Sequence, residues 1–519
     1  MSDSNDSQNN EYAPLRGAPL ALLTVAVAAA TFMEVLDTTI VNVSIPAIAG
    51  SLGVSPNEGT WTVSSYSLAA AIMQPLSGWI GRRFGEVRTF VTSMFLFVVF
   101  SALCGLSNSM GMLIGGRLMQ GLVSGPMIAI AQALLLRNYP PEKRGIALGI
   151  WGMVVILAPM LGPVLGGWIT DSFSWPWVFY INVPVGIVSM LITWNILRDR
   201  ESKRSIVPID AIGLALLVVG VGSLQFMLDN GNEKDWFHSP LIVTVGVTAA
   251  VCLIYLIVWE LYDNKHPILD LHLFKRRNFL VGTAAISLGF FAFFGTNVIY
   301  PLWLQTTLGY TSTWAGFAIA PIGIFAIMLA PLIGKNIGRL NLRVVTSTSF
   351  AIFAIGMFWM SHLTEQASYG QLAAPRLWQG LAIPMFFLPL NQILMSDIKP
   401  HEFASASGLA NFLRTIAASI TTATTVWIWN DRTDFHHTVL TEHIRPDSPG
   451  WLQTQQALGA LGVPDTQSLA YAESVVARQA MTLGVNDVYL LFAVVFFLLI
   501  PIIWFARPPF QAGGGGGAH

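Results

Sequence analysis

The chain has 519 residues, of which 54% are hydrophobic and only 11% are Asp, Glu, Lys or Arg. Soluble domains carry about 25% charged residues, so this composition excludes an ordinary soluble protein and indicates a polytopic membrane protein. A net charge of −1 points to no particular partner, and no nucleic acid is expected. Cys104 and Cys252 both lie in apolar stretches, so no disulfide framework is predicted.

The chain opens with a polar segment that has no basic residue before Arg16. A signal peptide would begin with basic residues, so the first apolar window is expected to stay as a membrane anchor. Apolar windows of about 20 residues follow along the chain. They lie near 18–48, 60–80, 89–107, 111–136, 146–170, 177–197, 209–228, 240–261, 279–304, 314–334, 344–362, 372–396, 405–429 and 486–506.

The distribution of Lys and Arg tests this assignment. With the N-terminus cytoplasmic, 20 of the 27 basic residues fall in cytoplasmic segments and 4 in outer loops. The remaining three, Arg117, Arg376 and Arg414, lie within spans. Because cytoplasmic loops carry an excess of Lys and Arg, this bias predicts that both termini are cytoplasmic and that the number of spans is even.

The chain also repeats itself. PLSG at 75–78 returns as PLIG at 331–334, and RLMQGL at 117–122 returns as RLWQGL at 376–381. Parallel halves of this kind are typical of transporters whose substrate path lies between the halves. We predict an all-α membrane protein with 14 transmembrane helices in a 6 + 2 + 6 order. It comprises a tail at 1–17, a bundle at 18–200, two linker helices at 201–265, a bundle at 266–506 with an outer loop at 430–485, and a flexible tail at 507–519.

Two carboxylates, Glu34 and Asp37, lie inside the first apolar window. A charge in a bilayer costs a few kcal/mol or more, and residues three apart share one face of a helix. Desolvation favours the protonated form of a carboxyl group, which makes proton binding reversible at working pH. We therefore predict a proton-coupling site at these residues, with a structural ion pair as the alternative.

Arg117 is the predicted partner of Asp37. Asp37 lies about 12 residues before the outer end of the first span, and Arg117 lies about 8 residues after the outer end of the fourth. At 1.5 Å per residue these depths are about 18 and 12 Å, so the two charges can meet. The return of Arg117 as Arg376 leaves open a structural role, such as binding carbonyl groups at a helix end.

Several segments resemble the motifs of one family. LDTTIVNVSIP at 36–46 resembles its first-helix signature, and RLMQG at 117–121 resembles its fourth-helix motif. GWIGRRFGEVR at 78–88 resembles the loop between helices 2 and 3. APMLGPVLGGW at 158–168 resembles the antiporter motif of helix 5, and WPWVFYINVPVG at 175–186 the run after it. Together they resemble the 14-helix drug:proton antiporters (the EmrB/QacA subfamily) of the major facilitator superfamily.

The resemblance implies a secondary active transporter, not an enzyme. It implies a proton-driven multidrug efflux antiporter for lipophilic compounds, with the proton gradient as energy source and no cofactor. It further implies the bacterial inner membrane and a tripartite system with a periplasmic membrane-fusion adaptor (EmrA-like) and an outer-membrane channel (TolC-like). The outer loop at 430–485 is the expected adaptor site, and residues 467–482 within it are a candidate amphipathic helix.

The alternative function is a proton-coupled exporter or symporter of a specific metabolite or fatty acid. Nutrient uptake by symport is disfavoured by the helix 5 motif. A membrane enzyme is disfavoured because the sequence has no HExxH, GxSxG or Walker-type GxxxxGK[ST] motif. A structural scaffold is disfavoured by the intramembrane acids. Cys and spaced carboxylates do not accompany His436, His437 and His443, so no metal site is predicted.

Two motifs supply the candidate gating residues. Glycines of the helix 2–3 loop allow a tight turn, and its arginines can pair with acids or helix C-termini. The family has an acid where this chain has Arg82, which places the usual charge relay in doubt and makes Glu86 the candidate substitute. The helix 5 motif implies an antiporter hinge, with ordinary small-residue packing as the alternative. The candidates are Gly78, Arg82, Arg83, Gly85, Arg88, Pro159, Gly162, Pro163, Gly166 and Gly167.

Polar and aromatic residues within the spans are the candidates for substrate binding. Polar side chains in a membrane must face a cavity or another helix, and aromatic rings suit flat lipophilic compounds. The alternative for the aromatic residues is contact with lipid or with the core. The candidates are Asn42, Gln120, Gln132, Trp151, Asn297, Tyr300, Trp303, Asn391, Asn411 and Arg414.

Overall fold

The computed structural model describes residues 12–510, apart from 55, 141–142, 203, 206–207, 232–233, 263–266, 400–401, 444–448 and 461–463. Within these residues the chain is helical and contains no strand. The helices are α1 (Gly17–Ile40), α2 (Ile45–Leu52), α3 (Pro56–Met73), α4 (Ser77–Phe84), α5 (Glu86–Gly105), α6 (Met110–Asn138), α7 (Arg144–Ser172), α8 (Trp177–Tyr180), α9 (Asn182–Leu197), α10 (Ala211–Asn230), α11 (Pro240–Tyr262), α12 (Arg277–Thr306), α13 (Ser312–Ile319), α14 (Ile322–Asn336), α15 (Leu342–Met360), α16 (Tyr369–Met395), α17 (Phe403–His443), α18 (Pro449–Ala460) and α19 (Asp465–Ile503).

The all-α membrane architecture is confirmed, and the count of 14 spans stays a prediction. Among the described residues, 11 helices are long and apolar enough to cross a membrane, or 12 if the two segments of α7 form one span. The α3–α4 pair is not among them because α3 carries many Ser and Thr residues and α4 is only eight residues long. Helix α17 is also not counted among the candidate spans, because much of its length is polar.

The helices form two bundles with a helical pair beside them. Helices α1 to α9 pack together, as do α12 to α17 with α19, while α10 and α11 pack mainly on each other. Helix α10 also contacts α3 and α17. Arg82, Arg137 and Arg198 lie at the ends of α4, α6 and α9, and hydrogen bonds of Ser205 to Arg82 O and of Arg200 to Asn138 join these ends. We call this side of the first bundle the basic end.

The bundles meet through α7 and α17. Helix α7 contacts α13, α14 and α16, and helix α17 contacts α3, α4 and α6. Toward the basic end, Gly78 allows close approach, because a Cβ atom there would lie 3.0 Å from Ser405 Cβ. The Thr415 hydroxyl donates to Gln74 Oε1 at 2.9 Å. The two halves are therefore in direct contact near the basic end.

The region 430–485, predicted as an outer loop with a candidate amphipathic helix at 467–482, is helical over most of its described length. Helix α17 has 41 residues and α19 has 39, which at 1.5 Å per residue is about 60 Å each, twice the hydrocarbon thickness of about 30 Å. Trp429 Nε1 donates to Met481 O at 2.9 Å, and Arg432 pairs with Asp487 at 2.6 Å. We call residues 430–443 and 465–485 the helical hairpin.

The start of the predicted flexible tail is held against the second bundle. The amide of Arg507 donates to Asn278 Oδ1 at 2.7 Å, and Gln392 Nε2 donates to Phe510 O at 2.9 Å. Arg343 donates to Ala506 O. Residues 507–510 therefore contact α12, α15 and α16, and residues 511–519 lie outside the described part of the chain.

Candidate functional site

The first bundle contains a buried ion pair between α1 and α6. Arg117 Nη1 lies 2.5 Å from Asp37 Oδ2, and neither side chain is exposed. Asp37 lies one turn before the end of α1. Removal of either partner would leave an uncompensated buried charge, so the two side chains depend on each other. The structure thus brings together the two charges whose depths were estimated from the sequence.

Arg117 is held by groups from three further positions. Its Nε donates to Thr62 O at 2.9 Å, and Nη1 also donates to Gln120 Oε1 at 2.8 Å. The guanidinium lies 4.2 Å from the centre of the Tyr66 ring, a distance at which cation–π attraction operates. Arg117 therefore contacts Thr62, Gln120 and Tyr66 in addition to Asp37.

Asp37 has two neutral partners besides Arg117, one of which sequence reasoning missed. Asn182 Nδ2 donates to Asp37 Oδ1 at 2.7 Å and to Ser101 Oγ at 3.0 Å. Gln120 Nε2 donates to the same Asp37 oxygen at 3.4 Å. Asn182 begins α9, within the run WPWVFYINVPVG that was read only as a family motif. Its position as a polar residue in an apolar run was the available signal.

Glu34 lies one turn before Asp37 and is also buried, with 3% exposure. Its Oε2 atom has no hydrogen-bond partner among the described residues. A buried carboxylate without a donor is costly unless it is protonated. Glu34 is therefore a second acidic group of the site, with surroundings different from those of Asp37.

The proposed hinge helix packs on the same turn of α1. A Cβ atom on Gly162 would lie 2.8 Å from Thr39 Cβ, and one on Gly166 would lie 2.5 Å from Ile40 O. Helix α7 bends by 43° between its segments Gly149–Pro159 and Leu161–Ser172, next to Pro163, whose ring cannot fit a straight helix. Gly167 faces Thr313 of the second bundle, because a Cβ atom on Gly167 would lie 3.7 Å from Thr313 Oγ1.

The loop 78–88 makes a tight turn at Gly85, whose φ of 94° disfavours other residues. Glu201, which sequence reasoning missed, accepts hydrogen bonds from the amides of Val87 (3.0 Å) and Arg88 (2.9 Å) at the start of α5. A carboxylate at a helix N-terminus is favourable. Glu86 pairs with Arg137 at 3.2 Å.

The arginines of this loop take different positions. Arg82 and Arg88 are exposed, and the Arg83 guanidinium lies 5.8 Å from the Trp79 ring. The Ser205 amide donates to Arg82 O at 2.9 Å, so the loop also contacts the segment that follows α9. The start of α5 therefore has two acids, its own first residue Glu86 and Glu201 from another part of the chain.

Three of the substrate candidates lie on the surface where the bundles meet. Ser407 Oγ donates to Gln132 Oε1 across this surface. Asn411 Nδ2 donates to Ser407 Oγ at 3.3 Å, and Arg414 Nη2 donates to Asn411 Oδ1 at 2.5 Å. Gln132, Asn411 and Arg414 therefore form one chain of polar contacts between α6 and α17.

The other candidates are dispersed. Tyr300 and Trp303 are fully buried and donate to Leu372 O (2.9 Å) and Thr482 Oγ1 (3.2 Å) inside the second bundle. Asn391 donates to Phe387 O at 2.8 Å within its own helix. Asn42 is exposed, and Trp151 is buried with an unpaired Nε1 among the described residues. The structure does not bring these residues to the ion pair.

The second bundle contains a copy of the Arg–Gln motif without the acid. Arg376 Nη1 donates to Gln379 Oε1 at 3.2 Å, and Nη2 lies 3.4 Å from Asn297 Oδ1 and from Thr296 O. The Tyr300 ring centre is 4.6 Å away. Neutral acceptors thus take the place of Asp37.

The family model for the Major Facilitator Superfamily matches residues 27–422. The chain belongs to this superfamily. It is 48% identical over 501 residues to "Multidrug export protein EmrB" of Haemophilus influenzae, covering 96% of this chain and 98% of that protein. It is 45% identical over 506 residues to "Fatty acid resistance protein FarB" of Neisseria gonorrhoeae, covering 98% of this chain and all of that protein.

Fold comparison agrees with this assignment. The structure of the human organic anion transporter MFSD10 (TETRAN) superposes with a TM-score of 0.61 over 94% of this chain and 100% of that chain. At 14% sequence identity this likeness concerns the fold alone. The protein is thus a multi-pass membrane transporter of the major facilitator superfamily and not an enzyme.

Proposed function

We propose that the chain is a proton-driven multidrug efflux antiporter of the bacterial inner membrane, with both termini cytoplasmic. The buried Asp37–Arg117 ion pair carries this proposal, because a transporter that uses a proton gradient needs a titratable group inside the membrane. The similarity to proteins named as multidrug exporters supports the choice of substrates.

The ion pair connects four helices, since Asp37 (α1), Thr62 (α3), Arg117 (α6) and Asn182 (α9) meet in one network. A proton on Asp37 removes its charge and weakens this network. Helix α1 then loses its strongest contact with α6 while Arg117 keeps Thr62 and Gln120. The order of events is protonation first, then release of α1.

Helix α7 would carry that release to the second bundle. Gly162 and Gly166 pack on α1 next to Asp37, and Gly167 faces Thr313 on α13. Small residues let these helices slide at close range, and the 43° bend gives α7 a point about which its halves can rotate. Protonation in the first bundle thereby shifts the surface between the bundles.

The test is transport by the purified protein in proteoliposomes with an imposed pH gradient. A lipophilic fluorescent dye is expected to move against the proton flow and to stop moving when an uncoupler abolishes the gradient. Empty liposomes and Asp199→Asn, which changes an exposed acid after α9, are the controls. Dye movement that is insensitive to the uncoupler would contradict proton coupling.

A second candidate function is export of fatty acids, favoured by the 45% identity to the protein named for fatty acid resistance. The same proteoliposomes loaded with dodecanoate distinguish the two. Transport of dodecanoate without transport of chemically unrelated dyes would favour the narrower function, and transport of both would favour the broader one.

We further propose that the helical hairpin docks a periplasmic membrane-fusion adaptor, which leads to an outer-membrane channel. The hairpin extends beyond a bilayer thickness and exposes Phe435, Leu469 and Tyr471, and exposed apolar groups favour a protein partner.

Replacing residues 440–470 by a short Gly/Ser link is expected to abolish co-purification of the adaptor while the pump still folds. Phe237→Ser, in the exposed turn between α10 and α11, is the control. Unchanged co-purification would refute the docking site.

A further inference from the structure

Arg414 differs from the other two arginines of the spans. Arg117 has the Asp37 carboxylate, and Arg376 has three oxygen contacts and a tyrosine ring. Among the described residues, Arg414 has one hydrogen-bond acceptor, Asn411 Oδ1, and no carboxylate within ion-pair distance. A guanidinium cannot be neutralised by losing its proton, and a buried charge without a partner is costly.

The position of Arg414 is open to a ligand. The residue keeps 8% exposure, whereas Arg117 and Arg376 have none. Ser407, Asn411 and Arg414 occupy positions i, i+4 and i+7 and therefore share one face of α17. Ser407 contacts Gln132 of the first bundle, so this face is directed between the bundles, where transporters of this architecture hold their substrates.

An aromatic strip on α12 leads away from the guanidinium. The Phe290 ring centre lies 5.5 Å from Arg414 Cζ. Phe290 and Phe294 stack at 5.6 Å with an interplanar angle of 19°. Both rings and Asn297, again at i, i+4 and i+7, are only partly buried. A cation therefore sits at one end of an accessible apolar surface.

We propose that Arg414 binds the carboxylate of amphipathic substrates, with the apolar part of the molecule along Phe290 and Phe294. The planar guanidinium presents five N–H donors and can hold a carboxylate through two parallel hydrogen bonds. A carboxylate here supplies the counter-charge that the protein does not. The proposal rests on the proposed export function and assigns to it a substrate class and a specificity-determining residue.

The test compares three ligands with a common twelve-carbon chain. Radiolabelled dodecanoate, dodecanol and dodecyltrimethylammonium are measured for binding to the purified full chain by scintillation proximity. Wild type is expected to bind dodecanoate most tightly. Arg414→Gln is expected to lose dodecanoate affinity by about tenfold or more, because a hydrogen bond to a charged group is lost, with less than a threefold change for dodecanol. Arg198→Gln, an exposed arginine at the basic end, is expected to bind all three ligands as wild type does.

If the glutamine variant does not fold, Arg414→Lys replaces it in the same binding test. The lysine variant keeps the positive charge and is expected to keep a preference for dodecanoate over dodecyltrimethylammonium. Equal losses for all three ligands in Arg414→Gln would overturn the proposal, as would a wild type that binds the cation as tightly as the anion. Transport in proteoliposomes is scored separately. Charge-selective binding without any transport would refute the export function and leave the Arg414 site in place.

Discussion

The two bundles use the same scaffold around different chemistry. In each, an arginine and a glutamine three residues later lie on one helix, with a tyrosine ring centre 4.2 Å (Tyr66) or 4.6 Å (Tyr300) from the guanidinium. The next glycine allows close contact in both copies, since a Cβ on Gly121 would strike Tyr66 O and one on Gly380 would strike Ile322 O. The repeated residues therefore build helix contacts.

The difference lies in the partner of the arginine. Helix α1 supplies the carboxylate of Asp37, while α12 supplies the neutral oxygens of Thr296 and Asn297. The first bundle alone has an acid at this position among the described residues. The comparison indicates that the arginine is a structural element of both bundles, and it supports our proposal that proton coupling belongs to the first bundle through Asp37.

The largest effect is expected when an arginine is removed from each bundle in turn. Arg117→Ala leaves Asp37 buried and unpaired, so the free energy of unfolding is expected to fall by about 3–5 kcal/mol. Arg376→Ala leaves only neutral groups, and a loss of about 1–3 kcal/mol is expected. Unfolding in mixed micelles with increasing SDS measures both. Equal losses would show that the acid does not distinguish the bundles.

Removing both charges of the pair sharpens this comparison. Asp37→Asn combined with Arg117→Gln removes both charges of the pair, so the double variant is expected to be more stable than Arg117→Gln alone by about 1–3 kcal/mol. The same SDS titrations, arranged as a double-mutant cycle, give the coupling free energy. Additive losses would mean that the 2.5 Å contact contributes nothing to stability.

The shared scaffold predicts matching effects of glycine substitutions. Gly121→Ala and Gly380→Ala each force a Cβ atom into a backbone carbonyl, and a loss of about 1–3 kcal/mol is expected for both. Gly115→Ala and Gly370→Ala, on the same two helices, meet no atom within 4 Å and are expected to be neutral or stabilising by up to about 1 kcal/mol. A large effect in one bundle only would break the analogy.

The smallest effect is expected at the partly exposed pair of the basic end. The side chains of Glu86 and Arg137 are 20% and 33% exposed to solvent. Partly exposed ion pairs of this kind contribute about 0–1 kcal/mol to the free energy of unfolding. Glu86→Gln is therefore expected to change stability by less than about 1 kcal/mol, measured by the same SDS titration. A loss as large as that of Arg117→Ala would show that burial does not separate the two ion pairs.

The sequence predicted the membrane class, the two halves and the meeting of Asp37 with Arg117, because hydropathy, basic loops and helix rise determine which residues share a depth. It did not predict Asn182 or Ser101 as partners, since contacts between neutral groups on different helices leave no spacing pattern. Within the outer loop the sequence predicted a helix only at 467–482, because polar residues elsewhere suggested irregular structure, although the long runs of α17 and α19 contain few helix breakers. The docking of residues 507–510 depends on tertiary contacts alone.

The most direct test of the account is Asp37→Asn in proteoliposomes, assayed for substrate exchange without a gradient and for transport driven by a pH gradient. The account predicts that exchange persists, because the substrate surface lies elsewhere, and that gradient-driven transport is lost. Gradient-driven transport at the wild-type rate would contradict the assignment of Asp37 as the coupling acid and would make Glu34 the next residue to test.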